Sequence, residues 1–257
     1  MEIITLLNEK GGVGKTTLAV NIATELAFRG QRVLLVDCDP QANATISLQI
    51  EESPAIYDLL VRDAEWSGVT MKAVPRELYE GDRVRLHVVP GNIETRSIPI
   101  QLTDIFKLDT RLRQLDGIVD IILIDTPPTP SLFHNSILLA TDKAILPTKL
   151  ESLSIKQLVK TLSHMQQISD WRQKSDMGAI DVLGIVPTMY RSTTLEHREN
   201  LVALEAKYAG KVWEPIVQRT VWAEASHACL PVRTYFEKSE ATGEIERLVN
   251  QIVGVYA

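Results

Sequence analysis

The stretch NEKGGVGKTT, residues 8–17, decides the fold. It sets three glycines and two lysines between the apolar run IITLL (3–7) and the helix-patterned TTLAVNIATELAFRG (16–30). Gly11, Gly12 and Gly14 let the backbone take conformations closed to residues that carry a Cβ. The loop amides, Val13 among them, then turn inward as an anion nest, and the following helix adds partial positive charge. A glycine loop that follows a strand and opens a helix is the context in which such a loop holds phosphate. Lys15 is spaced to reach the β- and γ-phosphates. Thr16 is spaced to offer its hydroxyl to Mg²⁺, with Thr17 beside it. The strict pattern G-x-x-x-x-G-K-[ST] fails, because its first glycine would fall on Glu9. Lys10 is a second cation for which a lone subunit has little use.

Outward from this loop, short apolar runs alternate with helical patterns. RVLLV (32–36), IILI (121–124), KAILP (143–147) and VLGIV (182–186) suit strands buried on both faces of a parallel sheet. Leu18, Ile22 and Leu26 recur at helical spacing with Ala19, Ala23 and Ala27 beside them, and Gly30 suits a C-cap. Further helices are predicted at about 98–115, 131–141, 151–174, 192–209 and 237–255. The alternation predicts a doubly wound α/β fold with a mostly parallel sheet and helices on both faces. Residues 62–82 read as a surface excursion, and 1–257 as a single domain.

The bulk numbers are those of an ordinary globular chain: 257 residues, 45% hydrophobic and 23% charged, with a formal charge of −6. No global basic field advertises nucleic acid. Residues 1–150 carry 15 basic and 20 acidic side chains, and residues 151–257 carry 12 and 13. A local basic face is therefore expected in the second half. Two cysteines, Cys38 and Cys229, without a CxxC, fit a reducing cytoplasm rather than a disulfide framework or zinc ribbon. No signal peptide is visible, and no apolar run approaches the ~20 residues that span a bilayer.

Acidic residues stand at strand ends. VLLVDCDPQAN (33–43) places Asp37 at the carboxyl edge of the second strand, where ligands bind in open α/β sheets, and Asp39 two residues on. IILIDTPPTPS (121–131) ends an apolar strand on Asp125, the form of an acid that holds Mg²⁺ directly or through water. Pro127 and Pro128 end that strand and stiffen its loop.

The form K-G-G-V-G-K-T-T resembles the deviant Walker A motif of the ParA/MinD partition ATPases, in the wider group that includes the nitrogenase iron protein. DCDPQ (37–41), DTPP (125–128) and GIVPTMYRSTT (184–194) are similar to further segments of that family. The resemblance implies an Mg²⁺-dependent ATPase that forms a homodimer with ATP, in which Lys10 reaches the partner's nucleotide. It implies that Asp39 positions the attacking water, that Asp37 and Asp125 stand by the metal with Thr16, and that Pro187, Thr188 and Met189 touch the base. The family's acid after the tyrosine is replaced by Arg191, and its later arginine falls at Thr193.

VQRTVWAEASHACLPV (217–232) is similar to a segment in which an arginine, here Arg219, serves nonspecific DNA binding; Lys207, Lys211 and Arg233 are its candidate neighbours. Cys229 stands where the family has glycine. The resemblance therefore implies DNA and a ParB-like adaptor as partners, at the nucleoid. A positioner of protein cargo is the alternative reading. A MinD-like membrane cycle would need a basic amphipathic C-terminal helix, yet only Arg247 is basic beside the stripe Ile245, Leu248, Val249, Ile252 and Val253. An iron–sulfur reductase would need a cysteine pair bridging a dimer, and Cys38 lies in the switch instead. The chain begins at its first strand, so no operator-binding helix-turn-helix is expected ahead of it.

Overall fold

A computed structural model describes residues 1–66, 69, 72–73 and 85–254. Among these residues, seven strands form one sheet in the order β3-β4-β2-β5-β1-β6-β7. The strands are β1 (Glu2–Leu6), β2 (Arg32–Asp37), β3 (Lys72–Ala73), β4 (Arg85–Val89), β5 (Ile121–Asp125), β6 (Lys143–Lys149) and β7 (Asp181–Thr188). All pair in parallel except β3, a two-residue antiparallel edge on β4.

The apolar runs are near-continuous because each strand is covered twice. Ile4, Leu6, Val33, Leu35, Ile121 and Leu123 lie in one core, which includes the apolar face of α1 (Lys15–Phe28). Their neighbours Ile3, Leu34, Val36, Ile122 and Ile124 lie in another, with residues of α3 (Ile56–Leu60), α5 (Lys107–Arg113) and α6 (Leu132–Ala140). This is the period-2 alternation of a strand read on both faces. A third cluster joins β6 and β7 to α7 (Ser152–Lys174) and α8 (Leu195–Lys207).

Helix boundaries follow local chemistry. Gly30, at φ 90°, donates to the Ala27 carbonyl and closes α1 as expected. Ser131 accepts from the His134 amide to open α6, and Ser239 accepts from the Thr242 amide to open α11 (Glu240–Val253). The helix expected over 98–115 is instead two pieces, α4 (Ile98–Gln101) and α5. Asp104 breaks it: its carboxylate accepts from the Phe106 amide, an alternative to the helical bond.

The excursion expected at 62–82 includes β3 and the buried Val69; its residues 67, 68, 70, 71 and 74–82 lie outside the described set, as does the end of the helix expected to reach 255. Periodicity missed β4 and the short helices α2 (Asn43–Ser47), α3, α9 (Thr220–His227) and α10 (Val232–Tyr235). At five residues each, α2 and α3 are too short to show a helical period. Cys229 takes φ 53°, which accounts for glycine at the matching place in the family.

The apolar stripe of α11 is consumed in packing: Ala241, Ile245, Leu248, Val249 and Ile252 are buried in the core that holds α1. Two arginines brace the same pair. Arg29 reaches Glu25, Asn250 and the Glu246 carbonyl, while Arg233 binds both Glu25 and Glu246 and lies over the Phe28 ring. Among the described residues, no helix is long and apolar enough to cross a membrane.

Candidate nucleotide and metal site

Register builds the site. Leu6 on β1 and Asp37 on β2 both align with Asp125 on β5, so the carboxyl ends of three neighbouring strands come level. The chain leaves β1 there through the glycine loop, at the edge where open α/β sheets bind ligands. Gly12 sits at φ 70° and Gly14 at φ 90°, left-handed conformations that a side chain would resist. Asn8 shapes the entry, accepting from the Lys10 amide and donating to the Pro147 carbonyl. Thr188 closes the far side by donating to the Val13 carbonyl.

Lys15 is 6% exposed, and its ammonium donates to the Lys10 carbonyl across the loop (3.3 Å). Burial pulls its pKa below the usual lysine value, opposed by the charges of Asp125 and Asp39. Thr16 donates to Asp125 Oδ2 at 2.6 Å. The other oxygen of that carboxylate, Asp125 Oδ1, is buried and has no protein partner. Burial, followed by the charge of Asp37, pushes Asp125 up to about 8. A buried carboxylate with an open oxygen, beside a hydroxyl and other acids, fits a small divalent cation with oxygen ligands. Thr16 and Asp125 would hold Mg²⁺, which when bound would neutralise charge on the phosphates.

Asp37 departs from the expectation of a metal ligand. Both of its oxygens are committed: Oδ2 accepts from the Thr45 amide and hydroxyl, and Oδ1 from the Asp39 amide. It pins the turn that carries Asp39 and α2, and burial raises it to about 6. Asp39 lines the phosphate cleft with Gly11, Gly12, Gly14, Lys15, Thr16, Thr17, Asn43, Pro128 and Met189. Gly91 is packed beneath the turn, where an added Cβ would lie 2.8 Å from the Asp39 carbonyl and 3.0 Å from the Asp37 carboxyl carbon. Gly91→Ala is expected to cost about 1–3 kcal/mol in urea unfolding. ATP turnover should fall with it, because relieving the clash displaces Asp39.

A second cleft continues the first through Gly14, Thr17 and Met189. Its walls are Leu18, Thr188, Ile216–Arg219, Trp222, Ala223 and Ser226. Thr188 and Met189, two of the residues expected at the base, both line this cleft; Met189 takes φ 52°. Pro187 is in β7, its carbonyl accepting from the Ile216 amide, so it holds the 216–219 wall in place. Sequence alone suggests a DNA-binding role for Arg219 in this wall and does not place 216–219 beside a nucleotide cleft. Tyr190 and Val217 form a parallel bridge, a long-range pairing with no local signal.

Lys10 behaves differently from Lys15. Its ammonium lies on Ser154 Oγ (2.6 Å) and near Glu151 (3.6 Å) at the start of α7. The basic side chains expected around Arg219 mostly stand among acids. Arg219 is tied to Glu240 (2.5 Å) and Glu244 (3.2 Å), Arg233 to Glu25 and Glu246, and Lys211 to Asp181, while Lys207 lies over the Tyr208 ring. Three of these four cations are paired with carboxylates, and Lys207 rests on a ring that leaves its charge in place. Arg219 serves as a strut between α9 and α11.

Residues 1–177 match the family model of an AAA domain. The chain is 32% identical over 246 residues to the sporulation initiation inhibitor protein Soj of Bacillus subtilis, covering 93% of this chain and 92% of that protein. The chain belongs to the ParA/MinD family of P-loop ATPases. It is 27% identical to the chromosome partitioning protein ParA of Caulobacter vibrioides, over 98% of this chain and 94% of that protein. In structure it is similar to an ATP complex of McdA from Cyanothece (TM-score 0.83, 18% identity, 99% and 96% of the two chains). It is also similar to cobyrinic acid a,c-diamide synthase from Mycobacterium smegmatis with an ATP analogue and magnesium (TM-score 0.75, 27% identity, 98% and 94%). As a member of this ParA/MinD family the chain is an ATPase, with ATP and Mg²⁺ as its nucleotide and ion.

Proposed function

We propose that the 257 residues form one ATP-driven partition or positioning unit that dimerises on ATP, with Lys10 acting on the partner's nucleotide. The observation that carries the reading is the separate placement of the two lysines. Lys15 is buried under its own loop, whereas Lys10 is held at the surface by Ser154 and Glu151. Both of those contacts can be exchanged for phosphate oxygens, a stronger partner for an ammonium than a hydroxyl and a more distant carboxylate. A charge supplied across an interface stabilises phosphoryl transfer as an arginine finger does. Lys15, Thr16, Asp39 and Asp125 carry the chemistry within each subunit. Gly11, Gly12, Val13, Gly14 and Thr17 seat the phosphates, and Thr188 and Met189 the base.

Lys10→Ala should retain ADP affinity, because ADP lacks the γ-phosphate, yet stay monomeric with ATP in light scattering. An ATP dimer in this variant would reduce Lys10 to a residue flanking an ordinary P-loop.

The matrix for the cycle is proposed to be DNA, bound nonspecifically by the ATP dimer, with a ParB-like adaptor stimulating hydrolysis. The naming of the relatives as chromosome-partitioning proteins supports it. Arg219 and Lys211 each pair with an exposed carboxylate, a contact that can be exchanged for a DNA phosphate, so both stay candidates beside other basic side chains that dimerisation brings together. Salt-sensitive retention on DNA, strong at ~50 mM and lost by ~200 mM salt, is expected with ATP and not with ADP. Lack of retention under both nucleotides would move the cargo from DNA to protein.

A further inference from the structure

Glu9, the residue that breaks the strict phosphate-loop pattern, faces two histidines. His134 lies in the first turn of α6 and His164 on α7. Donor atoms of all three side chains fall within 4.8 Å of one another. The two imidazole rings stack with centroids 5.7 Å apart and 16° between planes. Gln157 donates to Glu9 Oε2, and the Glu9 amide donates to the Thr161 hydroxyl, so α7 holds the carboxylate in place.

Among these groups the buried His134 ring is left without a hydrogen-bond partner. His164 Nε2 lies 3.0 Å from Asn135 Oδ1 and Nδ1 lies 2.7 Å from Glu9 Oε1. If Nε2–H donates to the amide oxygen, Nδ1 of a neutral ring turns its lone pair on a carboxylate. A proton on Nδ1 would repair that contact alone. It would do nothing for His134, which is 1% exposed and whose two ring nitrogens are both buried with no hydrogen-bond partner. Burial also holds that ring in its neutral form, lowered to about 4. One ion bound by Nδ1 of His164, a nitrogen of His134 and the Glu9 carboxylate gives each of the three groups a partner, and leaves the second His134 nitrogen as a buried N–H.

We propose that Glu9, His134 and His164 form a binding site for a zinc-class divalent ion, separate from the Mg²⁺ site at Thr16 and Asp125. Two imidazoles and one carboxylate select borderline ions such as Zn²⁺ and Co²⁺ over Mg²⁺, which prefers oxygen donors. Tetrahedral donors at the usual zinc–nitrogen bond length lie roughly 3.3 Å apart, so the Glu9–His164 pair at 2.7 Å has to open by about half an ångström for the ion to enter, within a set whose donor atoms all lie within 4.8 Å. His164 is about a quarter exposed, which gives the ion a route in and leaves water the fourth position. The Asn135 bond to its second nitrogen orients the ring for the ion, as outer hydrogen bonds do in zinc sites. Bound there, the ion ties the loop residue next to Lys10 to α6 and α7. Any effect on dimerisation rests on the reading of Lys10 above; the binding itself does not.

The test is titration of chelator-stripped, untagged protein with Zn²⁺ alone, without nucleotide and in excess Mg²⁺, followed by calorimetry. Co²⁺ serves as the spectroscopic probe. Wild-type protein should bind one Zn²⁺ per chain and melt at a higher temperature with it. Co²⁺ should give the intense visible bands of a four-coordinate ion. His164→Gln, at the more exposed ligand, and His134→Gln should each weaken Zn²⁺ binding by at least about 10-fold. Both should keep the ADP affinity of the wild type, which shows that they fold. Absence of Zn²⁺ binding in the wild type would overturn the proposal, as would equal affinity in a folded His164→Gln protein.

Discussion

Asp39→Ala protein should bind ATP as tightly as the wild type and hydrolyse it at least ~100-fold more slowly. The separation of binding from turnover follows from where Asp39 sits. Its backbone is fixed from below by the Asp37 carboxylate, and Oδ1 is engaged by the Gln41 amide, all within its own turn. Removing the side chain therefore leaves the loop, Lys15 and Thr16 as they were. It deletes a carboxylate from the cleft wall beside the phosphates, and with it the group proposed to orient the attacking water. Single-turnover measurement of phosphate release, set beside an ATP titration, separates the two quantities. Turnover within threefold of the wild type would take Asp39 out of the chemistry.

Lys15→Ala should fail one step earlier. The ammonium is enclosed by the loop and near Asp125 and Asp39, whose negative charge it offsets. Its loss removes a charge-assisted contact to phosphate, worth about 1.5–3 kcal/mol. It also leaves a cluster of buried acids that repels the nucleotide's own charge. ATP and ADP affinity should both drop by about 10- to 100-fold or more. In the Lys10→Ala variant, by contrast, only the ATP dimer is lost. Equal ADP affinity in Lys15→Ala and wild-type protein would contradict the reading of the loop.

How far the sequence discloses this site depends on the reach of each signal. The loop, Asp125 and the end of β2 are legible because each is a short run whose chemistry is local. Glycines permit the turn, and an apolar strand ends on an acid. The parallel sheet is legible for a similar reason, since double coverage makes strands apolar throughout. The roles of Asp37 and Arg219 are not local. Asp37 looks like a ligand until Thr45, eight residues away, occupies it; Arg219 looks like a free cation until Glu240 and Glu244 fold back on it. The wall at 216–219 depends on a hydrogen bond to Pro187 in β7 and a bridge to Tyr190 just beyond it, which leave no periodic trace. The His134 and His164 pair joins two helices 30 residues apart and closes on the loop only through packing.

The position of α1 bears on how such a chain can be inherited. Its first turn belongs to the phosphate loop, but Arg233 and the helix α11 that brace its far end come from the last quarter of the chain. The half that carries the recognisable motifs therefore does not carry its own support. A gene exchange with its breakpoint near residue 177 would transmit every phosphate-binding residue. It would strip β7 from β6, uncover the part of α1 that packs on α11 and remove the 216–219 wall of the second cleft. The two segments are bound to be passed on together. Substitutions along α11 should accordingly be constrained by α1 as firmly as any residue in the loop itself.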